Sequence, residues 1–490
     1  MTEMANTNMT TNTWRRTKIV VTMGPSLDDP GVLEKTIAAG ANVFRANFSH
    51  GTAEDHQKRI EAVREIAKKL NRHVAVFADL QGPKIRIAAF KDGTIHLEVG
   101  AEFILDAKLD DHAGDQQRVG ITYKKLIDDV RTGDTLLLDD GRLVFKVTAV
   151  KDSEIICTVI VGGKLSDHKG INRQGGGLTA EALTEKDKTD LKTAVALHVD
   201  YIAISFPRSA EDMTYAKQLI KEAGGKAGVI AKIERAEAVP VIDEIIEVSD
   251  AVMVARGDLG VEIGDTELPA VQKRIIHQAR LLNKPVITAT QMMETMIENT
   301  IPTRAEVFDV ANAVLDATDA VMLSAETATG KHPALVVKAM SDICLGTEKQ
   351  PETKISTHRM DAHFNRIDEA IAMSAVYIAN HLDIKAIVSL TETGSTPLWM
   401  SRIRSGTPIF ALTHHEETAR RVCLYRGVYP FYFDMNAVSR DHINKEAVRI
   451  LTDRDILHHG DLVLITKGDQ GAGTTNLVKI YRVGQDENQS

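Results

Sequence analysis

Residues 229–234 read VIAKIE, and one βα unit later residues 252–260 read VMVARGDLG. Apolar, β-favouring residues lead each run and charge closes it: Lys232 and Glu234, then Arg256 and Asp258. Residues two apart on a strand point to the same side, so Lys232 and Glu234 share a face. Charge at the mouth of a buried strand is costly unless it meets a partner such as a phosphate or a metal. The glycines of RGDLG allow backbone amides to approach a ligand closely. The stretch therefore predicts a divalent-metal site that holds an anionic, phosphorylated substrate.

The 490 residues exceed one ordinary core and predict two to four domains. A formal charge of −9 argues against a general nucleic-acid binder, whose footprint would be basic. The widely spaced Cys157, Cys344 and Cys423 offer no zinc pattern and fit reduced thiols in a cytoplasmic protein. The opening MTEMANTNMTTNTW lacks the apolar core of a signal peptide, and no apolar run approaches a membrane span. Neither a nucleic-acid nor a membrane partner is expected.

Outward from the opening stretch, strands alternate with helices. Strands are expected at 17–24, 41–49 and 73–81, with helices at 33–39 and 54–70. The rhythm changes between 87 and 167, where short alternating runs with turn signals predict a small antiparallel β domain, Asp140-Gly141 being a hairpin turn. After Gly175–Gly177 the βα rhythm resumes, with strands at 199–206, 228–234, 251–259, 285–292 and 319–326. Eight βα units predict a (β/α)8 TIM barrel over 17–86 and 168–348, interrupted after its third strand by the inserted β-barrel domain at 87–167. Residues 1–16 form an N-terminal segment. A polar linker then leads to a C-terminal α/β domain at 349–490 with a mostly parallel sheet, helices at 367–381, 396–404, 416–425 and 440–453, and a loop KGDQGAGTTN. A doubly wound sheet is disfavoured because no glycine-rich phosphate turn follows the first strand.

Working residues of such barrels lie at the C-terminal ends of strands. Those ends carry Arg45, Asn47 and Ser49, Asp79, Lys232 and Glu234, Asp258, Thr290, and Ser324 with Glu326. Glu234 and Asp258 could hold Mg2+ while substrate oxygens and water complete its shell. Lys232 and Arg45 could neutralise a phosphoryl group in flight. Any one of these residues alone could be a barrel-mouth salt bridge, but the whole set argues for a site.

The segments RANFSHG (45–51), DLQGPKIR (79–86), KGIN (169–172), AKIE (231–234) and ARGDLG (255–260) resemble pyruvate kinase. So do TATQMMETM (288–296), PTRAEVFDVANAV (302–314) and VMLSAETA (321–328), and the order of domains matches. The resemblance implies transfer of a phosphoryl group from phosphoenolpyruvate to ADP, yielding pyruvate and ATP. It gives Mg2+ (or Mn2+) to Glu234 and Asp258, and the transferring phosphoryl group to Lys232 and Arg45. The substrate carboxylate falls to Gly257, Asp258 and Thr290, and the nucleotide to His50, Arg86 and Lys169. Thr290 and Ser324 stand where the enolate receives its proton, from a side chain or from water. A K+ site is implied at Asn47, Ser49, Asp79 and Leu80, as is a homotetramer. The inserted domain is expected to close over the barrel mouth and exclude water.

One departure concerns Lys84. Potassium-dependent members usually carry an acid there, and an ammonium could take over the cation's electrostatic role, which makes K+ dispensable; the alternative is that Lys84 points outward and K+ still binds. The other concerns the loop Thr391, Glu392, Thr393, Gly394, Ser395 and Thr396, which follows a strand and opens a helix. The family uses this loop for a phosphorylated effector. Glu392 stands where bisphosphate-responsive relatives can carry lysine, so a sugar monophosphate or AMP is expected; the bland reading is a plain helix cap.

The pairs His414-His415 and His458-His459 read as solvated surface, because neighbours on a strand or helix face apart. Arg420-Arg421 reads as a wet helix face and Trp399 as packing. Two competing functions are a Mg2+-dependent C–C lyase on the same barrel and a non-catalytic metabolite sensor.

Overall fold

The computed structural model describes residues 14–354, 356, 358–359, 361, 363–468 and 475–485. Residues 1–13 and most of the glycine-rich loop at 467–476 lie outside the described residues. Eight parallel strands carry the barrel: Lys18–Thr22, Val43–Asn47, Ala75–Asp79, Tyr201–Ile204, Gly228–Ile233, Ala251–Ala255, Val286–Ala289 and Ala320–Leu323. They close in the order first, eighth, seventh, sixth, fifth, fourth, third, second. Their residues are almost all buried, as parallel strands covered on both faces require. Helix starts follow local chemistry: Thr184 with Asp187, and Thr303 with Glu306, each form a reciprocal capping box.

The chain divides into two compact units. One comprises Met1–Arg45, Gln57–Phe77 and Met292–Ser490, the other Ala46–His56 and Ala78–Gln291.

The second unit contains the fourth to seventh barrel strands and the inserted β structure. A six-stranded sheet runs in the order Ile171–Arg173, Thr135–Leu138, Leu143–Lys151, Glu154–Val161, Glu102–Asp106, Arg118–Gly120. The pairings are antiparallel except the last, which is parallel. Phe103, Leu136, Phe145, Val147, Ile155 and Cys157 fill its core. The expected hairpin at Asp140-Gly141 forms, as a longer loop with Asp139, Asp140 and Gly141 all at positive φ. The chain enters and leaves this sheet through a two-stranded neck. Ile87 N donates to Lys169 O at 2.9 Å, and Ile171 N donates to Ile85 O at 2.9 Å.

Each barrel strand ends one to four residues before the end of its expected span, and after two of them the chain turns into helix. The sixth stops at Ala255 rather than Leu259, and a helix, Arg256–Ile263, places Asp258 in its first turn. Strand pairing with the seventh strand ends at Ala255–Ala289, and the Arg256 side chain turns onto the Ala289 and Thr290 carbonyls instead of extending the ladder. The eighth stops at Leu323, and Ala325–Ala328 is helical.

In the first unit the C-terminal sheet runs Val428–Tyr432, Ile409–Thr413, Ile384–Leu390, Leu462–Lys467, Leu477–Arg482. The first four strands are parallel. The last is antiparallel and escapes the sequence reading, because its LVKIYR follows the loop as a short run half made of exposed positions. The expected helix at 416–425 is shorter, Glu416–Arg421 followed by a 3-10 turn, and Ile443–Thr452 replaces the expected 440–453.

Candidate active site

The Lys232 side chain rises from the end of the fifth barrel strand and meets three oxygens. Its Nζ lies 3.0 Å from Asp79 Oδ1, 3.1 Å from Glu234 Oε1 and 2.9 Å from Ser205 Oγ. Glu234 also accepts a hydrogen bond from Phe206 N at 3.0 Å, which fixes its second oxygen. Lys84 Nζ lies 3.2 Å from Asp258 Oδ1. Three carboxyl groups, Asp79, Glu234 and Asp258, thus face two ammonium groups.

That imbalance shows in Glu234. Burial pushes its carboxyl up to about 7, Lys232 pulls it down, and the Asp258 and Asp79 charges push it up again. A buried carboxylate beside two others is the environment in which a hard divalent cation relieves the most repulsion, so the residues fit Mg2+. Oxygens of three of the four residues expected to hold K+ are engaged within the protein. Asp79 pairs with Lys232, Leu80 O accepts from Ser205 Oγ at 2.6 Å, and Asn47 Oδ1 accepts from Ser49 N at 3.2 Å.

Thr290 and Gln291 follow the seventh strand, both in the left-handed region, with φ of 66° and 55°. The Thr290 Oγ accepts from Gly257 N at 2.9 Å, tying it to the turn that carries Asp258. Arg256, buried, donates to Thr290 O at 2.6 Å and holds this strained backbone in place. Thr290, Gly257 and Asp258 are therefore one constellation. Of the three nucleotide candidates, Arg86 and Lys169 lie side by side on the neck, where Arg86 bridges Gly170. Lys169 pairs with Asp139 at 2.8 Å, on the hairpin of the inserted sheet. Arg86 donates to His168 O at 2.9 Å, and His50 is exposed.

Arg45 and Ser324 belong to the other compact unit. Arg45 lies in the middle of the second strand and donates to Thr22 Oγ1 at 3.2 Å. Ser324 N donates to Glu326 Oε2 at 2.6 Å, whereas Ser324 Oγ is buried without a hydrogen-bond partner among the described residues. Glu326 is structural: buried, raised above the usual carboxyl range by that burial, it also accepts from Met293 N at 3.3 Å.

Sequence reading passed over Ser205 and gave Arg256 no role. Ser205 ends the run YIAIS, the same strand-end position that singled out the others. Arg256 was visible as charge in RGDLG, but its inward turn depends on the strand ending early.

The C-terminal loop follows the strand Ile384–Leu390. Gly394, at φ of 84°, lets the chain turn so that its N–H donates to Thr391 Oγ1 at 2.9 Å. Thr393 and Ser395 hydroxyls lie 2.8 Å apart, and Thr396 Oγ1 meets Thr475 Oγ1 at 2.7 Å. A cavity of about 1090 Å³ opens here, lined among others by Arg366, Arg440 and Lys467. The expectation that His414 and His415 diverge is wrong. They sit in the turn after Ile409–Thr413, where strand and helix periodicities do not apply, and their rings lie 3.9 Å apart against Glu392. His458 does remain exposed, beside Asp455, and Trp399 packs under the Arg366 guanidinium at 5.1 Å.

A family model for the pyruvate kinase barrel domain matches residues 14–337, and one for the pyruvate kinase alpha/beta domain matches residues 369–481. Pyruvate kinase II of Salmonella typhimurium is 57% identical over 477 residues, spanning 96% of this chain and 99% of its own length. A pyruvate kinase of Haemophilus influenzae is 57% identical over 469 residues, spanning 95% and 98%. The crystal structure of a pyruvate kinase from Cryptosporidium parvum aligns with a TM-score of 0.90 at 34% identity, covering 96% of each chain. A TIM barrel with an inserted β sheet, a C-terminal α/β domain and an acidic, lysine-bearing mouth defines a barrel phosphotransferase. The chain belongs to the pyruvate kinase family.

Proposed function

We propose that this chain transfers the phosphoryl group of phosphoenolpyruvate to ADP, giving pyruvate and ATP. The observation that carries the reading is the ammonium of Lys232 held by Asp79, Glu234 and Ser205 at the end of its strand. Phosphoryl transfer asks mainly for positioning and charge stabilisation, and a lysine fixed on three sides provides both. Lys232 and Arg45 stabilise the phosphoryl group in transit. Gly257, Asp258 and Thr290 bind the substrate carboxylate. Glu234 and Asp258 hold Mg2+ or Mn2+, which supplies Lewis-acid polarisation of phosphoryl oxygens. His50, Arg86 and Lys169 bind the nucleotide, and the enolate takes its proton on the side of Thr290 and Ser324, from a hydroxyl or from water. The unpartnered Ser324 Oγ supports that side.

The family generally uses K+ as well as Mg2+. Here K+ is dispensable: Lys84 brings an ammonium to Asp258, and the Asp79 and Leu80 oxygens of the implied K+ site already have protein partners. The loop 391–396 takes a phosphorylated effector with one phosphate, a sugar monophosphate or AMP. Hydroxyls at Thr393 and Ser395 and the nearby Lys467 favour a phosphate, and the Glu392 carboxylate repels a second one. The enzyme works as a cytoplasmic homotetramer, the usual symmetric frame for effector control. Among the described residues no helix is long and apolar enough to cross a membrane, and the three cysteines are free.

A coupled assay tests the central reading: pyruvate should form from phosphoenolpyruvate only when ADP and Mg2+ are both present. Pyruvate formed without ADP would overturn it in favour of a lyase or phosphatase activity.

A further inference from the structure

Glu392, His414 and His415 are drawn from two loop ends of the C-terminal sheet. One ligand atom from each lies within 4.8 Å of the other two. Glu392 Oε2 is 2.5 Å from His415 Nε2 and 3.9 Å from His414 Nδ1. His414 Nδ1 is buried and makes no hydrogen bond among the described residues, an expensive state for an imidazole nitrogen. The backbone around the group is pinned: Thr418 Oγ1 donates to Glu392 O at 2.7 Å, and His415 N donates to Thr413 Oγ1 at 3.2 Å.

We propose that Glu392, His414 and His415 form a transition-metal site of the two-imidazole, one-carboxylate kind, suited to Zn2+. Zinc bonds of about 2.0–2.2 Å place neighbouring tetrahedral ligands about 3.3–3.6 Å apart. The two spacings from Glu392 bracket that value, so His415 and Glu392 need only open by about 1 Å to admit the ion. Zinc takes nitrogen ligands readily, whereas Mg2+ and Ca2+ prefer all-oxygen shells, so this donor set discriminates against the cation of the barrel mouth. A bound ion would give His414 Nδ1 the partner it lacks. It would also offset the Glu392 charge that faces the cavity beside Thr393 and Ser395. The site stands whether or not that cavity also takes a phosphate.

The test uses the full chain, stripped with chelator and returned to buffer with excess Mg2+ to saturate the barrel mouth. Co2+ is then titrated while visible absorption is followed, and Zn2+ is added to displace it. The expected result is one equivalent of Co2+ per chain with a tetrahedral ligand-field band that Zn2+ abolishes. The band should be lost in Glu392→Gln and in His415→Asn, and kept in Glu234→Gln. His415 is exposed, so His415→Asn should preserve the thermal midpoint of the metal-free chain. Equal Co2+ spectra and stoichiometry in the wild type and both loop variants would overturn the proposal, as would a band lost only with Glu234→Gln.

Discussion

Arg402 and Asp319 form an ion pair with both side chains 1% exposed. Arg402 reaches from the end of the helix Ser395–Ser401 to the residue that precedes the eighth barrel strand, and Arg426 N donates to Asp319 Oδ1 at 2.9 Å. Two buried charges gain little net stability as a pair, but removing one strands the other. Arg402→Met should therefore cost about 3–5 kcal/mol in denaturant unfolding. Adding Asp319→Asn should recover part of that loss. An Arg402→Met chain as stable as the wild type would show that Asp319 is solvated or differently paired.

Lys232→Met should lower kcat by at least about 10²–10³-fold, the scale of losing one charge-stabilising group. Circular dichroism should not change, because Glu234 can become neutral once its lysine is gone. Steady-state assays with saturating phosphoenolpyruvate, ADP and Mg2+ decide this; near-normal kcat removes Lys232 from the mechanism.

Lys84→Glu should convert a potassium-indifferent enzyme into a dependent one. Activity of the wild type should be similar with K+ or with an inert cation, while the variant should be weak without K+ and recover as K+ is added. A wild type that needs K+ would end the idea that Lys84 supplies this charge.

Glu262 predicts a pH effect on stability. It is buried, accepts from Ala236 N at 2.8 Å, and desolvation pushes its carboxyl up to about 7. Its folded-state pKa exceeds the unfolded value, so the folded chain binds the extra proton between about 4.3 and 7. This group therefore favours the folded state at low pH, and its contribution declines as pH rises through that window. Glu262→Gln, which keeps an acceptor without a charge, should be more stable relative to the wild type at pH 8 than at pH 5. Thermal melts at the two pH values check it, and a pH-independent difference would refute it.

Much of this architecture is legible in the sequence because parallel strands buried on both faces are written as unbroken apolar runs. VVT, VMVA and AVML need no partner to be recognised. Charge following such a run marks the barrel mouth, which is how Lys232, Glu234 and Asp258 stand out. What escapes is what the third dimension decides. Past Ala255 and Leu323 the chain turns into helix, and Arg256 and Glu326 find backbone partners inside rather than along the ladder. Ser205 is a small residue whose importance comes only from the ammonium it meets. His414 and His415 defeat period-two logic because they occupy a turn, where neighbouring side chains can face the same way.

The neck between barrel and inserted sheet has an architectural consequence. Arg86 and Gly170 bridge antiparallel strands, and the Ile87 and Lys169 backbones share a hydrogen bond, so outgoing and returning chain run side by side. Such neighbours lie about 5 Å apart at Cα, a gap that a two-residue turn spans. The chain between Ile87 and Lys169 is thus a cassette whose two ends meet: it could be exchanged, and the chain rejoined across that gap, with only the edge strand Ile171–Arg173 of its sheet left behind.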